Sequence, residues 1–450
     1  MTDLAEPEVV PGRDALTAEG VLVVYHRPAG PWVKDASTVR EHLHAFMQHS
    51  RHQVWEVNVD YGFPAGLETL DFRAIVLHYS VFGMGPYALD DDWLAFLDRS
   101  PAYKIAFFQD ECTRCQRRFR FLNDHRIDCV YTCLEPSEFD KVYGRYTEVP
   151  KLISNLPGYV SHAILDAGKK FTVPFERRTV DVGYRGRPLP AYLGRGAMEK
   201  HEIGTRFQQL AGDRGLRLDI ATGEGDRLYG RSWYEFLANC RVVLGVESGV
   251  SAFDLEDEVL AEYDERLQQG LSVGLDDLST LRRWEDVVFY RTASPRHFEA
   301  ASLRVCQVLF EGHYSGVMQP MVHYIPLKKD FSNLDDVLSM IDDDDLVRDI
   351  AENAHRDLIA SGEWSYARLI GDFDNTLAAV IGERPSPEER AAVDRRLAIG
   401  RAAQRRRRVA YLAVKALLAG RFLQAAMRFA RPVTRRVRRI IGRPAPETAG

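Results

Sequence analysis

The segment Ser294-Pro-Arg-His-Phe-Glu-Ala-Ala-Ser302 follows an apolar run, Val287–Tyr290, and places Pro295 where the first turn of a helix accepts it. The free N–H groups and positive dipole end of such a helix make an anion site suited to a diphosphate, to which Arg296 adds a bidentate donor. One turn further in, Glu299 is placed to accept hydrogen bonds from ribose hydroxyls; the competing reading is an ordinary helix start with solvated charges. Asp181-Val-Gly-Tyr-Arg-Gly-Arg187 ends a strand in a turn where Gly183 and Gly186 would let backbone approach a phosphate. Arg185, Arg187 and Lys200 could neutralise its charge, or the segment is a basic surface turn. Glu311-Gly-His-Tyr-Ser-Gly316 has glycines flanking polar residues, the composition of a loop that folds over a sugar. Its candidate contacts are Glu311, His313, Tyr314 and Ser315, and a plain connection is the alternative; Glu247-Ser-Gly249 is a similar strand end.

Two further strand ends, His78-Tyr79-Ser80 and Gln109-Asp110-Glu111, could attend a hydroxyl that must lose its proton, with Asp110 or His78 as the base. Lone polar residues at strand ends are also commonly caps. Cys112-x2-Cys115 and Cys129-x3-Cys133 have spacings at which thiolates can converge on zinc. Alternation along a strand points Cys129 and Cys133 to one sheet face, which favours small buried hydrophobes instead. Asp90-Asp-Asp92 and Asp342-Asp-Asp-Asp345 precede apolar helical patterns, so capping is the preferred role and no obligatory metal is expected. Gly194-Arg-Gly196-Ala-Met-Glu199 lacks the third glycine of a dinucleotide fingerprint. No cofactor is expected.

These residues need elements to hold them. Strand-like runs at Val21–Tyr25, Val54–Val57, Ala74–Tyr79, Lys104–Phe108 and Asp128–Cys133 alternate with helical stretches at Ser37–Ser50, Asp92–Asp98, Thr113–Asp124 and Ser137–Tyr143, with Asp92 and Ser137 as N-caps. After a Pro/Gly-punctuated stretch near Leu156–Phe175, a second series runs Thr179–Tyr184, Leu216–Ala221, Val242–Val246, Val287–Tyr290, Val305–Phe310 and Val322–Ile325. The expected fold is α/β, with two tandem Rossmann-like domains whose strand ends face one cleft. The expected divisions are a flexible N-terminus (1–17), an acceptor-side domain (18–172), a nucleotide-side domain (173–332), helices packing back on the body (333–385) and a basic amphipathic helical tail (386–450).

Ser294–Ser302, Phe310–Gly316 and His323-Tyr-Ile-Pro-Leu-Lys-Lys-Asp-Phe-Ser-Asn333, joined by Asp181–Arg187, Tyr229-Gly-Arg-Ser-Trp-Tyr-Glu235 and Leu244–Gly249, together resemble bacterial glycosyltransferases related to the spore-maturation CgeB group and to family 1-like enzymes. The resemblance covers most of residues 70–335 and implies the two-domain GT-B architecture, a nucleotide-diphosphate-sugar donor and a hydroxyl acceptor. It implies that Glu299 binds the nucleotide ribose. Related retaining enzymes carry a second glutamate eight residues earlier, where this chain has Arg291, so a retaining outcome does not carry over. The function it implies is a metal-independent, hexosyltransferase-type enzyme of cell-envelope or surface glycan synthesis. A catalytically silent binding or scaffold protein acting through its tail is the alternative.

Bulk composition agrees with a folded chain: of 450 residues, 45% are hydrophobic and 10% aromatic. Six clustered cysteines speak for a reducing compartment, and the acidic N-terminus lacks the basic and apolar regions of a signal peptide. A cytoplasmic location is expected. The net charge of −6 conceals an asymmetry, since residues 401–450 hold fourteen Arg/Lys against Glu447, leaving 45 basic against 64 acidic side chains in residues 1–400. Within the tail, Val409, Leu412, Ala416, Gly420, Leu423, Met427 and Ala430 recur at helical steps free of charge. Residues 405–443 are therefore expected to lie on an anionic membrane surface, with a protein partner as the rival and nucleic acid disfavoured for want of aromatics.

Overall fold

The computed structural model describes residues 16–28, 37–83, 87–382, 384–398, 400, 402 and 409. Its first sheet has six parallel strands, β1 Leu16–Tyr25, β2 Val54–Asn58, β3 Leu70–Leu77, β4 Tyr103–Phe107, β5 Cys129–Thr132 and β6 Lys151–Ser154, in the order β2-β1-β3-β4-β5-β6. A parallel sheet covered on both faces needs near-continuous apolar strands. Accordingly Val21, Leu22, Val23 and Val24 are all fully buried, and alternate residues enter different cores: Leu22 and Val24 pack with Trp55 and Val57, while Val21 and Val23 pack with Leu43 and Phe46.

The second sheet repeats the scheme. Strands β7 Val180–Arg185, β8 Leu218–Ala221, β9 Cys240–Gly245, β12 Cys306–Phe310 and β13 Ile325–Leu327 pair in parallel in the order β13-β12-β9-β7-β8. The second sheet thus follows the 2-1-3-4-5 doubly wound order and the first the same order with a sixth strand added, an arrangement in which ligand crevices lie at the carboxyl ends of the strands. The two Rossmann-like units expected from the alternation are present.

One expected strand belongs elsewhere. Val287–Tyr290 is not part of the parallel sheet: it lies in β11 Glu285–Thr292, which pairs antiparallel with β10 Ser248–Ala252. Val288, Tyr290 and Thr292 are buried while Val287 and Phe289 are exposed, the alternation of a ribbon with one covered face. The buried face rests on the first domain. Phe253, Leu255, Val259, Leu281, Trp284 and Tyr290 share a core with Phe108, Cys112, Cys115, Phe119 and Tyr143.

Other expectations shift locally. Ser137 does not cap an α-helix, because the chain there forms a 3₁₀ turn, Pro136–Glu138, followed by a π turn, Asp140–Gly144. Asp90, not Asp92, caps its helix by accepting from the Trp93 N–H, and Asp343 caps the next acidic run. The stretch after residue 156 holds an unexpected helix, His162–Phe171. Cys129 and Cys133 part to opposite faces of the first sheet, since the chain leaves the strand after Thr132. All six thiols are buried and free.

The C-terminal helices pack back on the body. Leu334–Asp342 and Asp344–Ala354 cover the second sheet, and Tyr366–Leu377 crosses to the first, where Asp374 accepts from Ser50 Oγ at 2.8 Å and from the Arg51 N–H at 2.7 Å. The tail begins later than expected. Residues 387–398 are helical, bury Val393 and Leu397 in the first core, and bring Asp394 to 3.0 Å from Trp55 Nε1. Most of 405–443 lies outside the described residues. Among the described residues, no helix is long and apolar enough to cross a membrane.

Behind the first sheet, His42 is 3% exposed, packed between His78, Phe46 and Phe107, and neither ring nitrogen has a hydrogen-bond partner among the described residues. Burial pushes its pKa down to about 3, so the folded chain keeps it neutral while the unfolded chain takes up a proton below 6.5. Its effect is nil well above 6.5 and increasingly destabilising as pH falls towards 3. His42→Phe should therefore gain on the wild type in thermal unfolding as pH is lowered from 7.5 to 5, by about 2 kcal/mol. A stability difference independent of pH would show that this imidazole is not held neutral.

Candidate functional site

Four of the sequence-selected residues lie within electrostatic reach of one another in series: Glu299 with Arg296 and Arg296 with Lys200 in the second domain, and Lys200 with Asp110 of the first. Arg296 and Glu299 stand on the helix Pro295–Ser302, with Pro295 at its first turn as expected. That helix is clamped at its other end by buried Arg178, whose guanidinium donates to the carbonyls of Leu303 at 3.1 Å, Arg304 at 2.9 Å and Cys240 at 3.1 Å. A cation at a helix C-terminus satisfies the last carbonyls and complements the dipole.

Trp233 organises the two side chains. Its indole Nε1–H donates to Glu299 Oε2 at 2.8 Å, and the Arg296 guanidinium lies over its ring, 5.1 Å from the centroid. Arg296 also donates to the Arg185 carbonyl at 2.6 Å. Burial raises the Glu299 pKa to about 7, opposed by the Trp233 bond and Arg296 and helped by Glu41. Glu41, on the helix Ser37–His49 that follows β1, has its own pKa raised by burial, against a hydrogen bond from Ser161. Sequence reasoning gave neither Trp233 nor Glu41 a role. Trp233 lay inside the Tyr229–Glu235 motif, and Glu41 on the helix entered from the carboxyl end of the first strand.

Lys200 lies on the helix Arg195–Ala211. Burial, then Arg296, push its pKa down to about 8, while Asp110 pulls it upward. Asp110 is exposed at the end of β4, yet the surrounding walls raise its pKa against the pull of Lys200. Each feels the other's charge across the cleft.

Several expected contacts are corrected. His78 is fully buried, its Nδ1 engaged with Ser80 at 2.8 Å and its ring against His42, so it does not reach the cleft. Tyr314 is also fully buried and its hydroxyl donates to the Phe310 carbonyl at 2.7 Å, so its ring is core. Arg185 is committed to Asp219, 2.7 Å away, and stacks on Phe236 at 4.1 Å. Arg187 faces Glu224 at 3.6 Å. The glycines of that turn do not open backbone to a ligand: a Cβ on Gly183 would strike Cys240 Sγ, and one on Gly186 would stand 2.5 Å from the Lys200 carbonyl.

Glu311 is exposed, His313 pairs with Glu135 of the first domain at 2.7 Å, and Ser315 bonds Thr292 at 2.8 Å. The backbone N–H groups of His313 and Tyr314 both donate to Glu247 Oε1, at 2.9 and 2.7 Å. At the N-terminus of Arg195–Ala211, the Arg195 N–H donates to Glu285 Oε1 at 2.6 Å and the Gly196 N–H to Ser251 Oγ at 2.8 Å. Two backbone features able to hold an anion thus already hold internal carboxylate or hydroxyl oxygens. Arg291, where the resemblance leads to the expectation of a glutamate, pairs with Glu199 at 3.1 Å; Glu199 also pairs with Lys329 at 2.9 Å, and Glu247 feels both cations. The reversed charge is neutralised by neighbouring acids. The cleft therefore offers a half-buried carboxylate for hydroxyls, two cations for an anion and an exposed carboxylate on the opposite wall.

No protein-family model matches the chain, and no curated protein matches it. Similar solved structures include an α-glucosyltransferase in complex with UDP-glucose and DNA containing an abasic site, 10% identical, with a TM-score of 0.46 and covering 80% of this chain and 99% of that one. TarM is 11% identical with a TM-score of 0.39; the match covers 70% of this chain and little more than half of TarM, 56%. A sucrose-phosphate synthase from Thermosynechococcus elongatus is 11% identical with a TM-score of 0.37, covering 68% of this chain and 74% of that one. Likeness this distant decides neither the chemistry nor the substrate.

Proposed function

We propose that the chain is a glycosyltransferase that binds a nucleoside-diphosphate sugar on its second domain and transfers the glycosyl group, of hexose type, to a hydroxyl acceptor held against the first. The convergence of Glu299, Arg296 and Lys200 on one wall with Asp110 on the other carries this reading. Ionised Glu299 accepts from the ribose hydroxyls. Arg296 and Lys200 hold the diphosphate and stabilise the charge it gains as its bond to the anomeric carbon breaks, a task for which no metal is invoked. The acceptor oxygen bonds to that carbon and gives its proton to Asp110. Glu311, His313 and Ser315 border the sugar, and Arg187 lies at the outer edge of the diphosphate site.

Glu299→Ala should weaken binding of the preferred nucleoside diphosphate by about 10- to 100-fold in calorimetry, the loss expected for a charged hydrogen-bond partner. Unchanged affinity would reject the ribose role. Because Glu299 carries its charge only above about 7 and Lys200 only below about 8, the wild-type affinity should peak between these values and fall on both sides. Affinity flat from pH 6 to 9 would remove both assignments.

The tail supports a location for this activity. Its alternation of an uncharged apolar stripe with arginines over 405–443 fits an anionic membrane surface and hence an acceptor of the cell envelope, a glycan, lipid carrier or protein presented there. The full chain should co-sediment with vesicles containing phosphatidylserine and residues 1–400 should not; equal sedimentation of the two would discard the membrane role.

A further inference from the structure

The turn that carries Asp110 is held from outside its own domain. It runs from Gln109 to Cys112 at the carboxyl end of β4, and Asp110 is its exposed member. The Tyr290 hydroxyl donates to the Gln109 carbonyl. The Asp254 N–H donates to the Cys112 carbonyl at 2.9 Å. The Gln109 side-chain amide donates to the Pro157 carbonyl at 3.1 Å, beside Gly158, where a Cβ would stand 2.5 Å from Pro295 Cγ at the start of the helix bearing Arg296 and Glu299. Within the turn, Glu111 is pinned by Thr132 and the Cys133 N–H, each at 2.7 Å, and by Tyr143.

Tyr290 is chemically specific to this arrangement. It is 5% exposed, with its ring edge-on to Phe253 at 5.3 Å in the core shared by the two domains. A phenylalanine would fill the same volume, whereas a buried phenol is costly unless its hydroxyl has a partner. Here the hydroxyl meets the backbone carbonyl immediately before Asp110, and the Cys133 thiol beside it. The next residue along β11, Arg291, is paired with Glu199, one residue before Lys200. A single strand therefore connects both walls of the cleft.

We propose that Tyr290 is a positioning residue for transfer: its hydroxyl, delivered from the second domain, fixes the Gln109–Asp110 backbone so that Asp110 stands opposite Lys200 before a substrate arrives. This rests on the role given to Asp110 in the proposed function. Tyr290 touches neither substrate nor the reacting atoms. It acts on the rate by removing a search over turn conformations, in a regime where a misplacement of 1 Å costs roughly 100-fold.

The test measures nucleoside diphosphate release from its sugar nucleotide, with water or added acceptor, by full-length wild type, Tyr290→Phe, Asp110→Asn and the double variant. The donor is the sugar nucleotide of whichever of UDP, GDP, CDP, ADP and dTDP binds tightest. Tyr290→Phe should lower kcat roughly 10- to 100-fold while leaving donor KM and nucleoside diphosphate affinity within about twofold. The double variant should be no slower than Asp110→Asn. Gln109→Leu, which cuts the other side-chain tether, should give the same loss confined to kcat and serves if Tyr290→Phe folds poorly. Wild-type kcat in both tether variants alongside a slow Asp110→Asn, or losses that multiply in the double variant, would overturn the positioning role and leave the transferase reading standing. No donor turnover by the wild type would overturn both.

Discussion

Residues 248–292 leave the second sheet after β9 and return just before the helix Pro295–Ser302, and in between they bury Phe253, Val259, Trp284 and Tyr290 among Phe108, Phe119 and Tyr143 of the first domain. Full burial of each large apolar side chain contributes roughly 1.5–3 kcal/mol, so this shared core outweighs any single polar contact in the cleft. It sets the separation of the two sheets. Opening them about a hinge would expose the apolar face of β11 and break the bonds from Tyr290 and Asp254 to the Gln109–Cys112 turn. The turn that carries Asp110 is thus tied to the second domain through the same core and the same two bonds.

Internal hydrogen bonds also shape the electrostatics. Backbone amides at the start of Arg195–Ala211 and in the His313–Tyr314 turn are saturated by Glu285, Ser251 and Glu247, while Arg185 is absorbed by Asp219. In the proposed reading an anionic ligand meets Arg296 and Lys200, and burial pushes the Lys200 pKa down to about 8. Arg291 leaves no unpaired charge at its position, because Glu199 pairs with it and Glu247 lies within its field.

The two parallel sheets were legible because a strand covered on both faces must be apolar throughout, as Val21–Val24 and Val242–Leu244 are. The same rule misled at Val287–Tyr290, where four apolar residues in a row conceal a ribbon with one buried face; only the partner strand and the docking surface distinguish the two cases. Arg296 and Glu299 could be placed from the helix that follows, since spacing along a helix fixes which turn a residue occupies. Their dependence on Trp233, some sixty residues earlier in the chain, could not, because a bond from indole to carboxylate leaves no periodic trace. His78 and Tyr314 looked like cleft residues because each follows a strand's carboxyl end; whether such a side chain turns inward is set by packing, here against His42 and against the Phe310 carbonyl. The start of the tail was misplaced for a related reason, since Val393 and Leu397 have the spacing of an amphipathic helix whichever apolar surface receives them.

In the proposed reading Arg296 with Lys200 is the anion-binding point of the cleft and Glu299 binds the ribose. A crystal structure of the full chain with its tightest-binding nucleoside diphosphate tests it directly. One or both ribose hydroxyls should lie within hydrogen-bonding distance of Glu299 and phosphate oxygens on Arg296 and Lys200, with Glu285 still capping the helix Arg195–Ala211. A diphosphate seated on that helix with Glu285 displaced, or a nucleotide bound away from Glu299, would contradict it.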